Sequence, residues 1–187
     1  EYAYRLTMFE NDDIDLFQEE NNPENPNQYM YKNEFLDYKI RKKTIKVKDS
    51  LGIVLNIKES IHGPIMNDVM NTISSKKPIA MSWIYTQEKN QILDAVYHLS
   101  HSKNVDDFRK SIELIHAPGL NIMYGDAKNN ISWTASGKLY KLDKSINPNF
   151  ILNGSNGIDD QKEFLPFDKN PSALNPSWNY LYSANNQ

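Results

Sequence analysis

The sequence contains the stretch Leu6-Thr7-Met8-Phe9-Glu10-Asn11-Asp12-Asp13-Ile14-Asp15, in which a strand-like run ends in three closely spaced carboxylates. The apolar residues within 2–9 predict a buried strand. Like charges at this spacing repel one another, so the chain must hold them apart in water or gather them around a cation. Hard cations such as Ca²⁺ bind carboxylate and backbone carbonyl oxygens together. A solvated turn at the end of the strand is the alternative, and these residues alone leave both interpretations open.

Composition limits the classes of function that the chain can have. Of its 187 residues 39% are hydrophobic and 11% aromatic, which is enough for a folded core. The net charge is −3 and the densest basic run, Arg41-Lys42-Lys43, is too short to indicate a nucleic-acid surface. The absence of cysteine excludes disulfides and thiol catalysis. No apolar run approaches the length of a transmembrane helix, so we expect neither nucleic-acid nor membrane partners.

The periodicity of hydrophobic residues predicts strands, then two helices, then strands again. We expect one piece over 1–187, with strands in 1–84, a helical pair at about 88–117, and strands and an irregular Pro- and Asn-rich segment in 119–187. This order is typical of an α+β fold rather than of alternating α/β units. The predicted strands after the first cover 29–31, 34–38, 44–48, 53–57, 78–84, 120–124, 131–134 and 180–184.

Both helices have an apolar face and one has a clear start. The first presents Ile92, Ala95, Val96 and Leu99 at helical spacing. The second is predicted to start at Asn104, a favourable N-cap, with acidic residues in its first turn. Its apolar stripe consists of Val105, Phe108, Ile112 and Ile115, and we expect Pro118-Gly119 to end it.

The histidines do not form a recognisable catalytic pattern. His62 lies in a His-Gly-Pro turn, where the imidazole is predicted to make structural hydrogen bonds at a bend that Gly63 permits. His98 and His101 share a helix face, but no third ligand follows at the spacing of a zinc motif. His116 is expected in the last turn of a helix, where the dipole favours a cation. The sequence also lacks a Gly-x-Ser-x-Gly nucleophile motif, a Gly-rich phosphate loop and the zinc-protease His-Glu-x-x-His.

Four groups of residues, in the same order and with suitable spacing, resemble the β-chain of the penicillin acylase family, which also includes acylases of N-acyl-homoserine lactones. The resemblance covers roughly residues 2–187. It implies an N-terminal-nucleophile hydrolase, and this chain would be part of its αββα sandwich, with mostly antiparallel strands and two adjacent helices. The groups are Leu6–Asp15; Ile61–Ile65; Asn121–Asp126 with Asn130-Ile131; and Leu165–Phe167 with Asn175-Pro176 and Ala184–Asn186.

The resemblance also implies catalytic roles. In this family a serine exposed at the β-chain terminus attacks the amide, and its own α-amine acts as the base. That serine is expected upstream of Glu1, a first residue that indicates a piece of a longer protein. Asn185 matches the side-chain donor of the oxyanion hole, and Met8 matches the position whose backbone N–H is the second donor.

A structural calcium site is the second implication. Asp12 and Asp15 match calcium-binding aspartates of the family, while Ile14 and Pro148 match carbonyl ligands. A further aspartate would lie beyond Gln187, and another acidic ligand would come from the α-chain. The calcium site is therefore expected to be incomplete in this chain.

Specificity is the least constrained property. Leu6 and Leu120 match positions near the acyl pocket, and ordinary core packing is the alternative for both. Trp83 falls near a pocket aromatic, but a core tryptophan is the interpretation that we favour. Arg5 stands where family members often have a small residue, and the helical region between Trp83 and Leu120 is longer than in penicillin G members. The departures leave the acyl specificity open.

The resemblance thus implies a fragment of an amide hydrolase that cleaves the linear amide of N-acylated small molecules such as penicillins or acyl-homoserine lactones. Its partners would be the remainder of the β-chain and the α-chain of the same precursor. The resemblance implies a periplasmic or secreted location, and the fragment alone is expected to be inactive. Two alternatives stay open: a non-catalytic scaffold or binding domain of the same fold, and a plain α+β domain with a Ca²⁺-stabilised turn.

Overall fold

A computed structural model describes residues 1–141, 145–160 and 163–184. This part of the chain forms strands, three α-helices and two 3₁₀ turns, at Met66–Asp68 and Phe167–Lys169. In chain order the strands and α-helices are β1 (Tyr2–Met8), β2 (Ile14–Gln18), β3 (Gln28–Tyr31), β4 (Glu34–Asp37), β5 (Lys39–Ile45), β6 (Ile53–Ser60), β7 (Gly63–Pro64), β8 (Ile79–Trp83), α1 (Ile84–Gln87), α2 (Ile92–His101), α3 (Val105–Ile112), β9 (Leu120–Asp126), β10 (Ile131–Ser136), β11 (Leu152–Asn153) and β12 (Ser172–Leu174).

The chain divides into two units by its internal contacts. The first unit comprises Glu1–Asp13, Glu88–Lys141 and the described part of 162–187. The second comprises Ile14–Gln87 and the described part of 142–161. The predicted α+β class with mostly antiparallel strands is confirmed, because every strand pair except β11 with β2 is antiparallel in the described residues. In this part of the chain no helix is long and apolar enough to cross a membrane.

The first unit is a four-stranded sheet in the order β1-β9-β10-β12, with α2 and α3 packed on it. The register sets Met8 opposite Leu120 and Thr7 opposite Asn121. One face of the sheet carries Ile122 and Tyr124 into the core with the apolar sides of the helices. Burial of this face is the main stabilising term of the unit. The buried core residues are Ala95, Leu99, Phe108, Ile112, Ile115, Ile122 and Tyr124.

Helix α3 starts as predicted and ends earlier. The Asn104 side chain accepts a hydrogen bond of 2.8 Å from the backbone N–H of Asp107, which confirms the N-cap. The helix stops at Ile112 rather than running to Pro118-Gly119. Ile115 is still buried, at 3% exposure, so the apolar stripe continues through a turn that is no longer helical. His116 therefore lies beyond the helix, where its ring hydrogen-bonds to the carbonyl of Lys89. The prediction that His116 lies in the last turn and interacts with the helix dipole is wrong.

The turn between β9 and β10 is organised by one side chain. Asp126 accepts hydrogen bonds from the side chain and backbone of Asn130, from the Tyr124 hydroxyl and from the backbone of Lys128. These bonds, those of Asn130 first, lower the pKa of Asp126 to about 2. Asn129 adopts a φ of 64°, which asparagine tolerates better than most residues. The predicted strand pair and its connecting turn are confirmed.

The second unit contains three small sheets, in the orders β11-β2-β8, β3-β4 and β5-β6-β7. Lys32 and Asn33 connect β3 to β4 with φ values of 49° and 67°, at the predicted turn. The predicted hairpin around residue 50 exists, but its first strand is Lys39–Ile45 rather than 44–48. All residues of β5 are exposed, so the strand has no alternation of polar and apolar residues that would mark where it begins and ends. The buried core consists of Phe17, Tyr29, Tyr38, Ile65, Ala80 and Leu152.

Two further strand predictions need correction. β1 exists, but it is not buried, since its central residues Arg5 and Leu6 are exposed. No strand forms over 180–184, a segment that the structure describes. Its tyrosines are largely exposed, at 59% for Tyr180 and 82% for Tyr182, so their spacing does not reflect a buried sheet face. The last strand is instead β12, which pairs with β10.

Candidate functional site

A cavity of about 420 Å³ lies in the first unit at the end of β1. Its lining includes Met8, Phe9 and Glu10 from that end, Asn121 and Trp133 from the sheet, and residues 182–184. The Thr7 and Ser183 hydroxyl oxygens are 2.5 Å apart and hydrogen-bonded. Two segments that are far apart in sequence therefore meet at this cavity.

Of the two predicted oxyanion donors, Met8 and Asn185, only Met8 belongs to the residues that the structure describes. Met8 lines the cavity directly, as the last residue of β1. Asn185 lies outside the described residues, and Ala184, which precedes it in the chain, is part of the lining. The roles of Met8 and Asn185 stay predictions.

The backbone of Met8 is held by a side-chain network that the sequence did not indicate. The Asn121 side-chain N–H₂ donates to the Met8 carbonyl oxygen at 3.0 Å. The indole N–H of Trp133 donates to the Asn121 side-chain oxygen at 2.9 Å. We call these three residues the Met8 network. Asn121 falls in a stretch that resembles the family, but nothing in the sequence pairs it with Met8 or Trp133.

The two leucines assigned to an acyl pocket differ in environment. Leu120 packs against the helix–sheet core of the first unit, as its alternative interpretation supposed. Leu6 is 48% exposed on β1. In the second unit Trp83 is partly buried with its ring against Tyr85, and its indole nitrogen is buried with no hydrogen-bond partner in the described chain. These positions leave the pocket assignment a prediction.

The residues expected at the calcium site fall in both units. Asp12 belongs to the first, and burial together with the neighbouring charge of Asp13 raises its pKa. Ile14, Asp15 and Pro148 belong to the second, where Asp15 is only 2% exposed on β2. The described residues contain no group of three or more His, Cys, Asp and Glu side chains that could hold a metal ion. The expected set takes only two carboxylates from this chain, and it stays a prediction.

A largely buried polar group of the second unit surrounds His62. Its Nδ1 lies 2.8 Å from Glu19 Oε1 and its Nε2 lies 3.0 Å from Asp160 Oδ1. Glu19 is fully buried and His62 is 6% exposed. The ring stacks on Phe17 at a centroid distance of 4.1 Å. We call Glu19, His62 and Asp160 the carboxylate–histidine cluster.

The cluster confirms the structural role predicted for His62. Gly63 has a φ of 131°, a conformation that favours glycine, so the turn depends on it as expected. Burial by itself lowers the pKa of His62, but hydrogen bonds and charges from Glu19 and Asp160 outweigh it and raise the pKa. Burial raises the pKa of Asp160, and bonds from Tyr31 and His62 reverse that shift to a net lowering. The sequence missed both carboxylates because they lie 43 and 98 residues from His62.

The histidines of α2 lie at a second cavity of the first unit, of about 440 Å³. His98 and His101 line it together with Lys103, Asp107 and Lys110. His101 bonds to the Tyr97 carbonyl at 2.8 Å and stacks on the Tyr97 ring. Both histidines are exposed on the surface of α2.

The chain is an α+β protein in which the end of β1 and residues 182–184 line one cavity. A model of the penicillin amidase family matches residues 1–187, and the chain belongs to that family. This match confirms the family predicted from the resemblance.

Curated relatives and a solved structure agree with the family assignment. Penicillin G acylase of Escherichia coli is 26% identical over 175 residues, which cover 94% of this chain and 20% of that protein. Acyl-homoserine lactone acylase QuiP of Pseudomonas aeruginosa is 25% identical over 194 residues, covering 99% of the chain and 23% of that protein. A thermostable penicillin G acylase from Alcaligenes faecalis superposes with a TM-score of 0.86 at 23% identity, covering all of this chain and 33% of that one, and shows the fold. The chain spans about a fifth of the length of these curated relatives.

Proposed function

We propose that this chain is part of a penicillin-acylase-like amide hydrolase and supplies its oxyanion donors. The backbone N–H of Met8 and the side-chain amide of Asn185 would bind the negative oxygen that develops when a nucleophile attacks the amide carbonyl. The observation that carries the proposal is the cavity that Met8 shares with residues 182–184. It supports the assignment because two donors to one oxygen must approach the same point, and residue 185 follows directly on this lining.

The nucleophile in this proposal is a serine that precedes Glu1, at the terminus of the β-chain, with its own α-amine as the base. The substrate is an N-acylated small molecule with a linear amide, such as a penicillin or an acyl-homoserine lactone. The α-chain and the rest of the β-chain complete the enzyme, which we expect in the periplasm or outside the cell. The purified 187-residue chain should then show no amidase turnover.

A structural Ca²⁺ ion is the second part of the proposal. Asp12 and Asp15 would supply carboxylate oxygens, and Ile14 and Pro148 would supply carbonyl oxygens, which is the donor chemistry that Ca²⁺ prefers. Support for a cation comes from the almost full burial of Asp15 and from the pKa of Asp12, which burial and the charge of Asp13 raise. The ion would neutralise these carboxylates and hold the chain that follows β1.

Melting curves test the calcium site. Ca²⁺ should raise the melting temperature of the wild-type full-length protein and should have little effect on Asp12→Ala, because an ion that binds only the folded state stabilises it. Asp13→Ala is the matched control, since Asp13 lies outside the proposed ligand set. An equal response of all three proteins to Ca²⁺ would rule out the site.

The oxyanion assignment is tested by Asn185→Ala in the full-length enzyme. We expect kcat on N-acyl p-nitroanilides to fall by about 10²–10³-fold, as for loss of one oxyanion donor, with an unchanged melting temperature. Asn186→Ala removes the same group one position later and is the matched control. Equal kcat in both variants would contradict the role of Asn185.

The sequence upstream of Glu1 separates this enzyme from a non-catalytic scaffold or binding domain of the same fold. A Ser, Thr or Cys that becomes the β-chain terminus after self-cleavage supports the enzyme. Any other residue at that point would mean that the chain retains the fold without the nucleophile.

A further inference from the structure

We infer that Asn121 and Trp133 are positioning residues that fix the backbone of Met8 for catalysis. The inference rests on the proposed function, because it concerns the donor N–H of Met8. Its basis is the Met8 network, in which one amide side chain joins the Met8 carbonyl to the indole of Trp133 beside the cavity.

The orientation of the Asn121 amide is determined by Trp133. An indole N–H can only donate, so the group of Asn121 that faces Trp133 must be the oxygen. The N–H₂ group then faces the Met8 carbonyl, as observed at 3.0 Å. A flipped amide would set two oxygens against each other at Met8 and two donors against each other at Trp133. Trp133 therefore decides which atom Met8 meets.

Met8 needs such support because of its place in the sheet. It is the last residue of β1, and β1 is an edge strand of the described sheet. On its N-terminal side, the Thr7 side chain is bonded to Ser183. On its C-terminal side, the Asn121 bond fixes the peptide plane between Met8 and Phe9, whose N–H donates to the Gly119 carbonyl at 3.0 Å.

These constraints bear directly on the proposed donor. The Met8 N–H belongs to the peptide plane that precedes the Met8 Cα, and the Asn121 bond holds the plane that follows it. With the following plane fixed, the remaining freedom of the N–H about the Met8 Cα is restricted. An oxyanion donor acts through being held in place before the reaction, so a freer Met8 backbone should lower kcat more than it raises KM.

Asn121→Asp in the full-length enzyme is the most discriminating variant. The carboxylate can still accept from Trp133 and has almost the shape of the amide, but it opposes the Met8 carbonyl oxygen. We expect kcat to fall about tenfold with little change in KM, which is less than the 10²–10³-fold cost of removing a donor outright. As the pH falls towards about 4 the carboxyl gains a proton that it can donate to Met8, so the ratio of variant to wild-type kcat should rise.

Trp133→Phe tests the other half of the network. It keeps an aromatic ring but removes the donor that orients Asn121, so kcat should fall in the same direction by a smaller factor. Trp178→Phe is the matched control, since Trp178 is 58% exposed and lies outside the network. The double variant with Asn121→Asp should be no worse than Asn121→Asp alone, because both changes break one bond to Met8.

The outcomes separate the inference from the proposed function. A wild-type enzyme without amidase activity would overturn the proposed function, and the inference with it. An active wild type whose kcat is unaffected by either substitution would overturn the inference alone. If Trp133→Phe loses no more activity than its control Trp178→Phe, the role of Trp133 is merely structural and the inference fails. The inference also fails if the ratio of Asn121→Asp kcat to wild-type kcat does not change with pH.

Discussion

The carboxylate–histidine cluster of the second unit and the Met8 network of the first are both polar groups beside a core, yet they are built for different tasks. In the cluster, ionisable side chains are buried and face one another, with Glu19 fully buried and His62 6% exposed. In the network, neutral groups bond in a row next to a cavity. Buried charge is tolerated only when it is paired, so the members of the cluster depend on one another within the fold. Neutral donors beside open space can serve a ligand.

The largest expected effect comes from breaking the cluster with His62→Phe. The phenyl ring can keep the stack on Phe17, but Glu19 loses its imidazole partner and retains Ser60. Removing one partner of a buried ion pair costs about 3–5 kcal/mol. Hydrogen exchange should show a loss of protection of about 10²-fold or more at β8, in the second unit.

His98→Phe is the control for this substitution, because it removes an exposed histidine of α2 in the first unit. Protection at β9 should change little in either variant. An equal loss at β8 and β9 in His62→Phe would show that the two units share one opening event, and the comparison between them would no longer hold.

A smaller effect is expected from Gly119→Ala, which acts on the first unit. An added Cβ would lie 2.5 Å from the carbonyl oxygen of Phe9 and would also collide with the Asn11 side chain. The Phe9 oxygen is backbone, so relief requires the chain after β1 to move. We expect a cost of about 1–3 kcal/mol, as for an overpacked site, measured by denaturant unfolding.

Gly125→Ala is the matched control, because Gly125 lies on β9, the strand that follows Gly119, and its added Cβ would meet only the Asn130 carbonyl at 3.9 Å. In the full-length enzyme Gly119→Ala should also lower kcat, since the displaced residues adjoin Met8. Stability and kcat equal to those of Gly125→Ala would show that the end of β1 is not held as tightly as the Met8 network implies.

Much of the fold could be predicted from the sequence where the signal is local. The Asn104 cap, the turn at Lys32 and Asn33, and the strands flanking the Asp126 turn depend on residues within a few positions of each other. The misplaced strands had no such signal. β5 is exposed on both faces, and the tyrosines of 180–184 have strand-like spacing without burial.

The candidate site divides in the same way. Met8 and Asn185 were assigned by resemblance, because family motifs preserve positions in a sequence. Asn121 as a partner of Met8 could not be found, since the bond spans 113 residues and depends on the sheet register. The carboxylates around His62 were missed for the same reason. Long-range polar contacts follow from topology, which no single stretch of sequence contains.

The smallest expected effect, and the one that sharpens the comparison most, is the pH dependence of the second unit. The pKa of His62 is raised in the folded state, so its contribution to stability is complete below the unfolded pKa of about 6.5 and is lost as the pH rises through the folded pKa. The pKa of Asp160 is lowered, so its contribution is present above the unfolded pKa of about 3.9 and is lost as the pH falls through the folded pKa.

Stability of the second unit should therefore be greatest between about pH 4 and 6.5. It should decline on the alkaline side by about 1 kcal/mol, because neutral His62 keeps its ring stack and one N–H donor. Protection at β8 measured across this range should follow that profile in wild type and lose its alkaline decline in His62→Phe, whereas protection at β9, which lies in the first unit, should not follow it. If the alkaline decline in protection at β8 persists in His62→Phe, a group other than His62 causes the decline. The contrast between a charged cluster in the second unit and a neutral network in the first would then fail.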